Sequence, residues 1–439
     1  MSQKKNVIVV GGGFGGINAV KSLSKNPDLD ITLIDRRNHH LFQPLLYQVA
    51  MAALSPAEIA VPIRSIFSGY RNVDIVMGNV LGVNFDKKLV QTKFRDFQYD
   101  YLVLACGAMN CYFGNVGWEG FAPGLKSLEE AIEIRRRVLT AFEKADREED
   151  PEKQKQLLTF VVVGGGPTGI ELAGALGEIS RYTLSRDFRH IDSRRTRIIL
   201  IEAGERILPS FSPELSGKAS RGLEKLGVTI WTKTKVTGID QEGVTLKNER
   251  ILAKTVLWAA GIGPADLNEK LSVELGSQNR IRVNSDLTIP GQSNVFVIGD
   301  QAYFVENGNA LPGLAPVAIQ QGKFVAKNIF ADMKQKPRKP FKYLDKGIMA
   351  TIGRADAIVQ FAGMKLNGFI AWAIWLFVHI FYLIGFRNRM IIIFQWGWSY
   401  LTFRRGARII TIRGWKPLLK ANARKKSVPS RKKTAAKKK

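Results

Sequence analysis

The chain has 439 residues, 45% of them apolar, and its 65 Lys and Arg against 38 Asp and Glu give a formal net charge of +27. That length and apolar fraction exclude a small stapled or disordered protein and predict two or three domains with a large core. Two cysteines and four histidines, none at ligand spacing, exclude a disulfide scaffold, and no metal is expected.

In chain order, residues 7–10 form a β-branched run that leads into Gly11-Gly12-Gly13-Phe14-Gly15-Gly16 and a helical pattern. Residues 31–34 then read as a strand ending in Asp35, with Arg36 after it. In such a unit the glycines permit a tight turn, the helix N-terminus faces a pyrophosphate, and the carboxylate takes a ribose hydroxyl. One glycine-rich loop is weak evidence, but the unit recurs. Residues 160–163 precede Gly164-Gly165-Gly166-Pro167-Thr168-Gly169, and residues 198–201 end in Glu202. Two units predict two dinucleotides, one a bound redox group and the other an exchanging hydride donor.

The remaining elements assign the two sites. Residues 101–107 and 255–261 are strands ending in Gly107 and Gly261, and each closes one nucleotide unit. Residues 294–300 read as a late buried strand ending in Gly299-Asp300, where a ribityl chain of FAD would bind, and that strand belongs with the first loop. The first site is therefore expected to hold FAD through Gly11, Gly13, Phe14, Gly15, Gly16, Asp35, Arg36, Gly107, Gly299 and Asp300. The second is expected to hold NADH through Gly164, Gly166, Thr168, Gly169, Glu202 and Gly261. Glu202 would repel a 2′-phosphate, which favours NADH over NADPH, while Arg206 weighs the other way. Glu171, in the first turn after the second loop, has two readings: a carboxylate stabilising a helix N-terminus, or one beside the nicotinamide and flavin rings that handles a proton. Cys106 and Cys111 are expected to be inert packing residues.

Residues 129–145 read as an amphipathic helix, residues 146–156 as an exposed bend, and residues 334–342, with Pro337 and Pro340, as a linker. From Ala357 onward there is no Asp or Glu, and 18 of the net +27 lies there, which marks a surface that meets something anionic. No nucleic-acid partner is expected. Residues 368–386 carry no formal charge over 19 positions, close to spanning length. A second apolar run, 390–394, continues to Trp396, Trp398 and Tyr400 and meets Arg404, Arg405 and Arg408, a pattern suited to a bilayer interface. The preferred expectation is monotopic insertion at the cytoplasmic face of the cell membrane on anionic lipid, with a single span as the alternative. Residues 420–439, half Lys and Arg, are expected to be disordered and drawn to anionic lipid.

The expected fold is α/β: two Rossmann-like dinucleotide-binding domains, for FAD and NADH, plus a C-terminal helical membrane-anchoring segment. The expected divisions are residues 1–125 and 286–340 for the FAD domain, 126–158 for a helical connection, and 159–285 for the NADH domain. Residues 341–416 would be the anchoring region and 417–439 the basic tail.

Beyond the loops, residues 38–50 (Asn-His-His-Leu-Phe-Gln-Pro-Leu-Leu-Tyr-Gln-Val-Ala), residues 167–174 and Val297-Ile298-Gly299-Asp300 resemble the type II NADH dehydrogenases, the non-proton-pumping NADH:quinone oxidoreductases. The resemblance runs from residue 6 to about 416. It implies non-covalent FAD, a membrane-bound C-terminus, often a homodimer, and a ping-pong cycle in which NADH reduces the flavin and a membrane quinone re-oxidises it. The family's two quinone-site glutamines fall on Pro316 and Gln320 here, so the first is replaced. Gln320 would sit near the quinone head, with the backbone of Val317 and Ala318 against the flavin. Cys106 stands where a threonine is more usual. A sulfide:quinone oxidoreductase would need several redox cysteines at the flavin, and a disulfide reductase a cysteine pair near residues 40–50; neither is present. A nucleic-acid-binding or NADH-sensing flavoprotein is the reading from another class.

Overall fold

The computed structural model describes residues 4–402 and 406–411. Strands β1 (Lys5–Val10), β2 (Leu29–Asp35), β3 (Val73–Met77) and β4 (Tyr101–Leu104) are near-continuous apolar runs, the pattern of parallel strands covered on both faces. The second nucleotide unit supplies β5 (Thr159–Val163), β6 (Arg197–Ile201), β7 (Val228–Trp231) and β8 (Thr255–Trp258), paired in parallel in the order β7-β6-β5-β8. The chain then returns to the first sheet through β9 (Thr288–Ile289) and β10 (Gln292–Val297), giving the order β9-β10-β4-β1-β2-β3. Val9 sits between Leu33 and Val103 at its centre, and only β9 runs antiparallel to its neighbour. Each glycine-rich loop therefore lies at the carboxyl end of a central parallel strand, where α/β sheets bind ligands.

Helices α1 (Phe14–Leu23), α2 (Leu128–Asp146), α3 (Pro167–Glu178), α4 (Pro213–Lys225) and α5 (Ala315–Met333) cover the sheets. Helix α2 starts in a capping box, Ser127 with Glu130, and buries Ala131, Ile134, Val138 and Phe142 on one stripe. The expected bend after it is partly a short helix, Pro151–Leu157, because Asp150 accepts the N–H groups of Glu152 and Lys153 and Pro151 suits the first turn. Helices α1 and α5 cross so closely that a Cβ at Gly322 would land on the carbonyl oxygen of Gly15.

The C-terminal region departs from the expected division at residue 341. Residues 348–367 are an antiparallel sheet, β11 (Ile348–Gly353), β12 (Asp356–Phe361) and β13 (Met364–Asn367), which packs on α3. A Cβ at Gly174 would meet the Ile352 carbonyl oxygen, so this sheet belongs to the globular body. The proline-containing connection before it is strapped down: Arg338 pairs with Asp286 at 2.9 Å and Asp332 at 2.5 Å, and Phe341 is buried.

Helices α6 (Gly368–Tyr382) and α7 (Phe386–Thr402) follow. Ala371, Trp375 and His379, spaced i, i+4, i+8, turn one face of α6 inward, as Asn388, Ile392 and Trp396 do for α7. Trp396 Nε1 donates to Gln48 at 2.8 Å and Gln395 donates to Glu58, tying α7 to the first domain. The opposite face is apolar and open: Phe377 is 68% exposed, Phe381 60%, Phe394 70% and Trp398 63%. Among the described residues no helix is long and apolar enough to cross a membrane, so the alternative of a single span is not met there. Gly385, with a φ of +93°, breaks the uncharged run and folds α7 back. The tail, with Arg404 and Arg405, lies outside the described residues.

Candidate active site

A cavity of about 1320 Å³ opens where the two nucleotide units face each other. Its size exceeds the roughly 300–1,000 Å³ of ordinary small-molecule sites and suits a dinucleotide with a second ring beside it. Gly11, Gly13, Phe14, Gly15, Asp35 and Arg36 line it from the first unit, Gly107 from the end of β4, and Gly299, Asp300 and Ala318 from the later segment. From the second unit, Pro167, Thr168 and Glu171 reach it.

The two loops have the same internal construction. Gly11 and Gly164 take φ values of +106° and +110°, and a Cβ at Gly16 or Gly169 would fall on the carbonyl oxygen of Gly11 or Gly164. At Gly13 and Gly166, the N-caps of α1 and α3, no protein atom lies within 4 Å of an added Cβ, which leaves the helix N-terminus open to a phosphate. Asp35 accepts the Gly12 N–H at 2.5 Å and the Arg37 N–H at 2.7 Å; Glu202 accepts the Gly165 and Gly204 N–H groups, each at 2.6 Å. Arg206, which bears on a 2′-phosphate, is turned away and bonds Leu208, Pro209, Phe211 and Ser216. Gly164, Gly166, Gly169, Glu202 and Gly261 do not line the large cavity, and Gly16 is buried in the first turn of α1.

Buried amides hold the first loop's side of the cavity. Gln321 accepts the Gly299 N–H at 2.7 Å, and Gln301 accepts the Cys106 N–H at 2.9 Å while donating to Asn268 at 2.7 Å. His40 bonds the Gly12 carbonyl through Nδ1 at 2.9 Å, with Phe14 edge-on to its ring. Burial pulls its pKa down to about 4, so it pins the loop as a neutral imidazole. These open helix termini, glycine cradles and anchored carboxylates fit FAD on the first loop and a nicotinamide nucleotide on the second.

Glu171 is the ionisable side chain that α3 brings to the place where the two units meet. Burial lifts its carboxyl to about 8, against a Thr351 N–H bond that favours the anion, so it is largely protonated at neutral pH. Gln320, expected near the quinone head, does not line this cavity. Its amide donates to the Leu344 carbonyl at 2.9 Å and accepts the Leu344 N–H at 3.0 Å, a two-point clip on the backbone. Val317, on the buried face of α5, also lies off the cavity, whereas Pro316 and Ile319 line it.

Sequence reasoning missed the wall opposite, made by Lys346, Gly347, Ile348 and Met349 and by Val378, His379 and Tyr382 of α6. A lone histidine inside an uncharged apolar run was its available signal. His379 stacks on Trp375 with centroids 4.2 Å apart and bonds the Trp375 carbonyl through Nδ1 at 2.7 Å, and burial lowers its pKa to about 4. Cys106 lines the cavity, but burial pushes its thiol up to about 12, far from a reactive thiolate. Among the described residues no group of His, Cys, Asp and Glu is arranged to hold a metal.

The family model described as pyridine nucleotide-disulphide oxidoreductase matches residues 5–322. The chain is 43% identical over 425 residues to the type II NADH:quinone oxidoreductase Ndh of Mycobacterium tuberculosis, covering 93% of this chain and 91% of the relative. Among solved structures, NDH2 from Plasmodium falciparum in complex with NADH superposes with a TM-score of 0.84 at 20% identity, over 93% of this chain and all of that one. The sulfide:quinone oxidoreductase of Aquifex aeolicus gives a TM-score of 0.73 at 21% identity, over 88% and 92% of the two chains.

Proposed function

From a chain that belongs to the pyridine nucleotide-disulphide oxidoreductase family and, within it, to the type II NADH:quinone oxidoreductases, we propose how its own residues divide the work. It is an FAD-dependent enzyme that oxidises NADH and reduces a quinone. FAD, when bound, supplies the acceptor for the hydride and the store of two electrons for the quinone. The first loop, Asp35 and the Gly299-Asp300 turn hold it. The second loop and Glu202 hold NADH and disfavour a 2′-phosphate. Glu171 lies between, protonated, able to give a proton to a quinone oxygen. Gln320 acts by position: its clip on Leu344 sets the segment that carries Lys346 and Met349 into the cavity wall.

The observation that carries this reading is the shared cavity, lined by the first loop, by Gly299-Asp300 and by Glu171 of the second unit. Two variants test the division. Asp35→Ala is expected to be purified with little flavin. Glu202→Ala is expected to keep its flavin but lose about ten-fold or more in kcat/KM for NADH, as a charge-assisted hydrogen bond predicts, with a smaller preference over NADPH. Equal flavin loss in both would contradict the assignment.

The apolar face of α6 and α7 supports a monotopic seat on a bilayer: one helix face is built into the body and the other offers phenylalanines to acyl chains. The basic C-terminal excess supports anionic lipid at the cytoplasmic face of the cell membrane. A homodimer, which the resemblance implies, is tested by the mass of the detergent-solubilised protein.

A further inference from the structure

A second cavity, of about 420 Å³, lies behind the first and shares Glu171 and Tyr47 with it. It follows one face of α3: Glu171, Ala175 and Glu178 all line it, at the i, i+4, i+7 spacing that stacks side chains on one side of a helix. Glu171 and Glu178 are thus about 10.5 Å apart along the axis. Charged groups gather at the Glu178 end, where Lys225 of α4, Arg354 of the β11–β12 turn and Asp356 at the start of β12 complete the wall. Glu178 accepts the Arg354 N–H, which fixes its carboxylate at that end. The volume holds on the order of ten waters at about 30 Å³ each. Trp375 Nε1, buried on the same wall, has no partner among the described residues and is a donor such a water would satisfy.

The reaction needs such a path. When NADH reduces a quinone, a hydride leaves the nicotinamide C4, and the quinone gains two electrons and two protons as its two carbonyls become hydroxyls. The hydride accounts for one hydrogen nucleus and both electrons, so one proton per turnover comes from water. If Glu171 gives that proton, it must be recharged while ring systems fill the cavity on its other side. We propose that the second cavity is the proton-entry route to Glu171, with Glu178 as its intermediate carboxylate and the Lys225–Arg354–Asp356 end as its mouth. The inference rests on the quinone reading above.

The test uses the FAD-loaded full chain, reduced anaerobically by one equivalent of NADH and then mixed with menadione in H₂O and in D₂O, with flavin re-oxidation as the readout. Glu178→Gln removes the proton carrier but keeps an acceptor for Arg354, and Ala175→Phe fills the passage. Both variants are expected to slow re-oxidation about ten-fold, less than the roughly 10²-fold of losing the proton donor itself because Glu171 is still present, and to enlarge the D₂O effect. Glu178→Asp and added azide, through its small conjugate acid, should restore the rate of the first. Flavin reduction by NADH, which takes no proton from water, should stay within about two-fold. Re-oxidation at the wild-type rate in both variants would overturn the route, and so would equal slowing of both half-reactions, which would mark a distorted α3. Failure of the wild-type protein to be re-oxidised by menadione would instead sink the quinone reading on which the route rests.

Discussion

Glu171 shows how position decides the role of a side chain. At a helix N-terminus a carboxylate would be stabilised as the anion, but here burial dominates and its pKa rises to about 8. The folded protein therefore binds more protons at this site than the unfolded chain, and the site's contribution to stability is lost as pH rises from about 4.5 through about 8. Two consequences are measurable. Re-oxidation by quinone should be flat below pH 8 and fall above it. Glu171→Gln should abolish that fall, lower the rate about 10²-fold at pH 7, and melt higher than the wild type at pH 9. A pH-independent wild-type rate would contradict the role. The sequence left Glu171 between two readings because the deciding neighbours, Thr351 and the wall around it, come from a segment 180 residues later. The contact of Gln320 was not legible for a related reason: its partner, Leu344, lies in a segment without regular secondary structure, where no periodicity predicts contacts.

At the scale of elements, the crossing of α1 and α5 joins the phosphate loop to the Gly299-Asp300 turn. Gly322 permits it, because a Cβ there would meet the Gly15 carbonyl oxygen, and Gln321 next to it holds the Gly299 N–H. Gly322→Ala should force the helices apart at about 1–3 kcal/mol, lower the melting temperature and weaken FAD retention. Unchanged flavin content after gel filtration would contradict this coupling. The paired loops predict a cleaner separation: Gly16→Ala should lose FAD, whereas Gly169→Ala should stay yellow and resist reduction by NADH. Both loops and the strands β1, β2, β4, β5, β6, β8 and β10 were legible, since parallel strands buried on both faces leave runs of apolar, β-branched residues; β3, Val-Asp-Ile-Val-Met at the edge of its sheet, was not. The sheet β11–β13 was not read either, because its residues were absorbed into the basic, apolar C-terminal pattern.

For the whole molecule, charge and apolar surface are both displaced to the C-terminal end, while α6 also forms a wall of the flavin cavity. On the proposed reading, the membrane seat and the quinone entrance would be one structure. Replacing Phe377, Phe381 and Phe394 together by Ser should release the protein from anionic vesicles in a flotation assay, and NADH oxidation with ferricyanide should persist, since these side chains point away from the body. Continued flotation would contradict the proposed face. Truncation at Asp356 would cut the sheet that packs on α3 and is expected to give insoluble protein; removal after Asn367 spares that sheet but opens the cavity wall. The sequence disclosed the asymmetry of this end but not how far the folded body extends into it.

The central claim is that one cavity serves both half-reactions. It is tested most directly by adding NADH anaerobically to the purified full-length protein, then a soluble quinone, while following the flavin's visible absorbance. Bleaching by NADH and full recovery with quinone is the predicted result. Absence of bleaching would contradict the assignment of the second loop to NADH, and bleaching without recovery would contradict the acceptor.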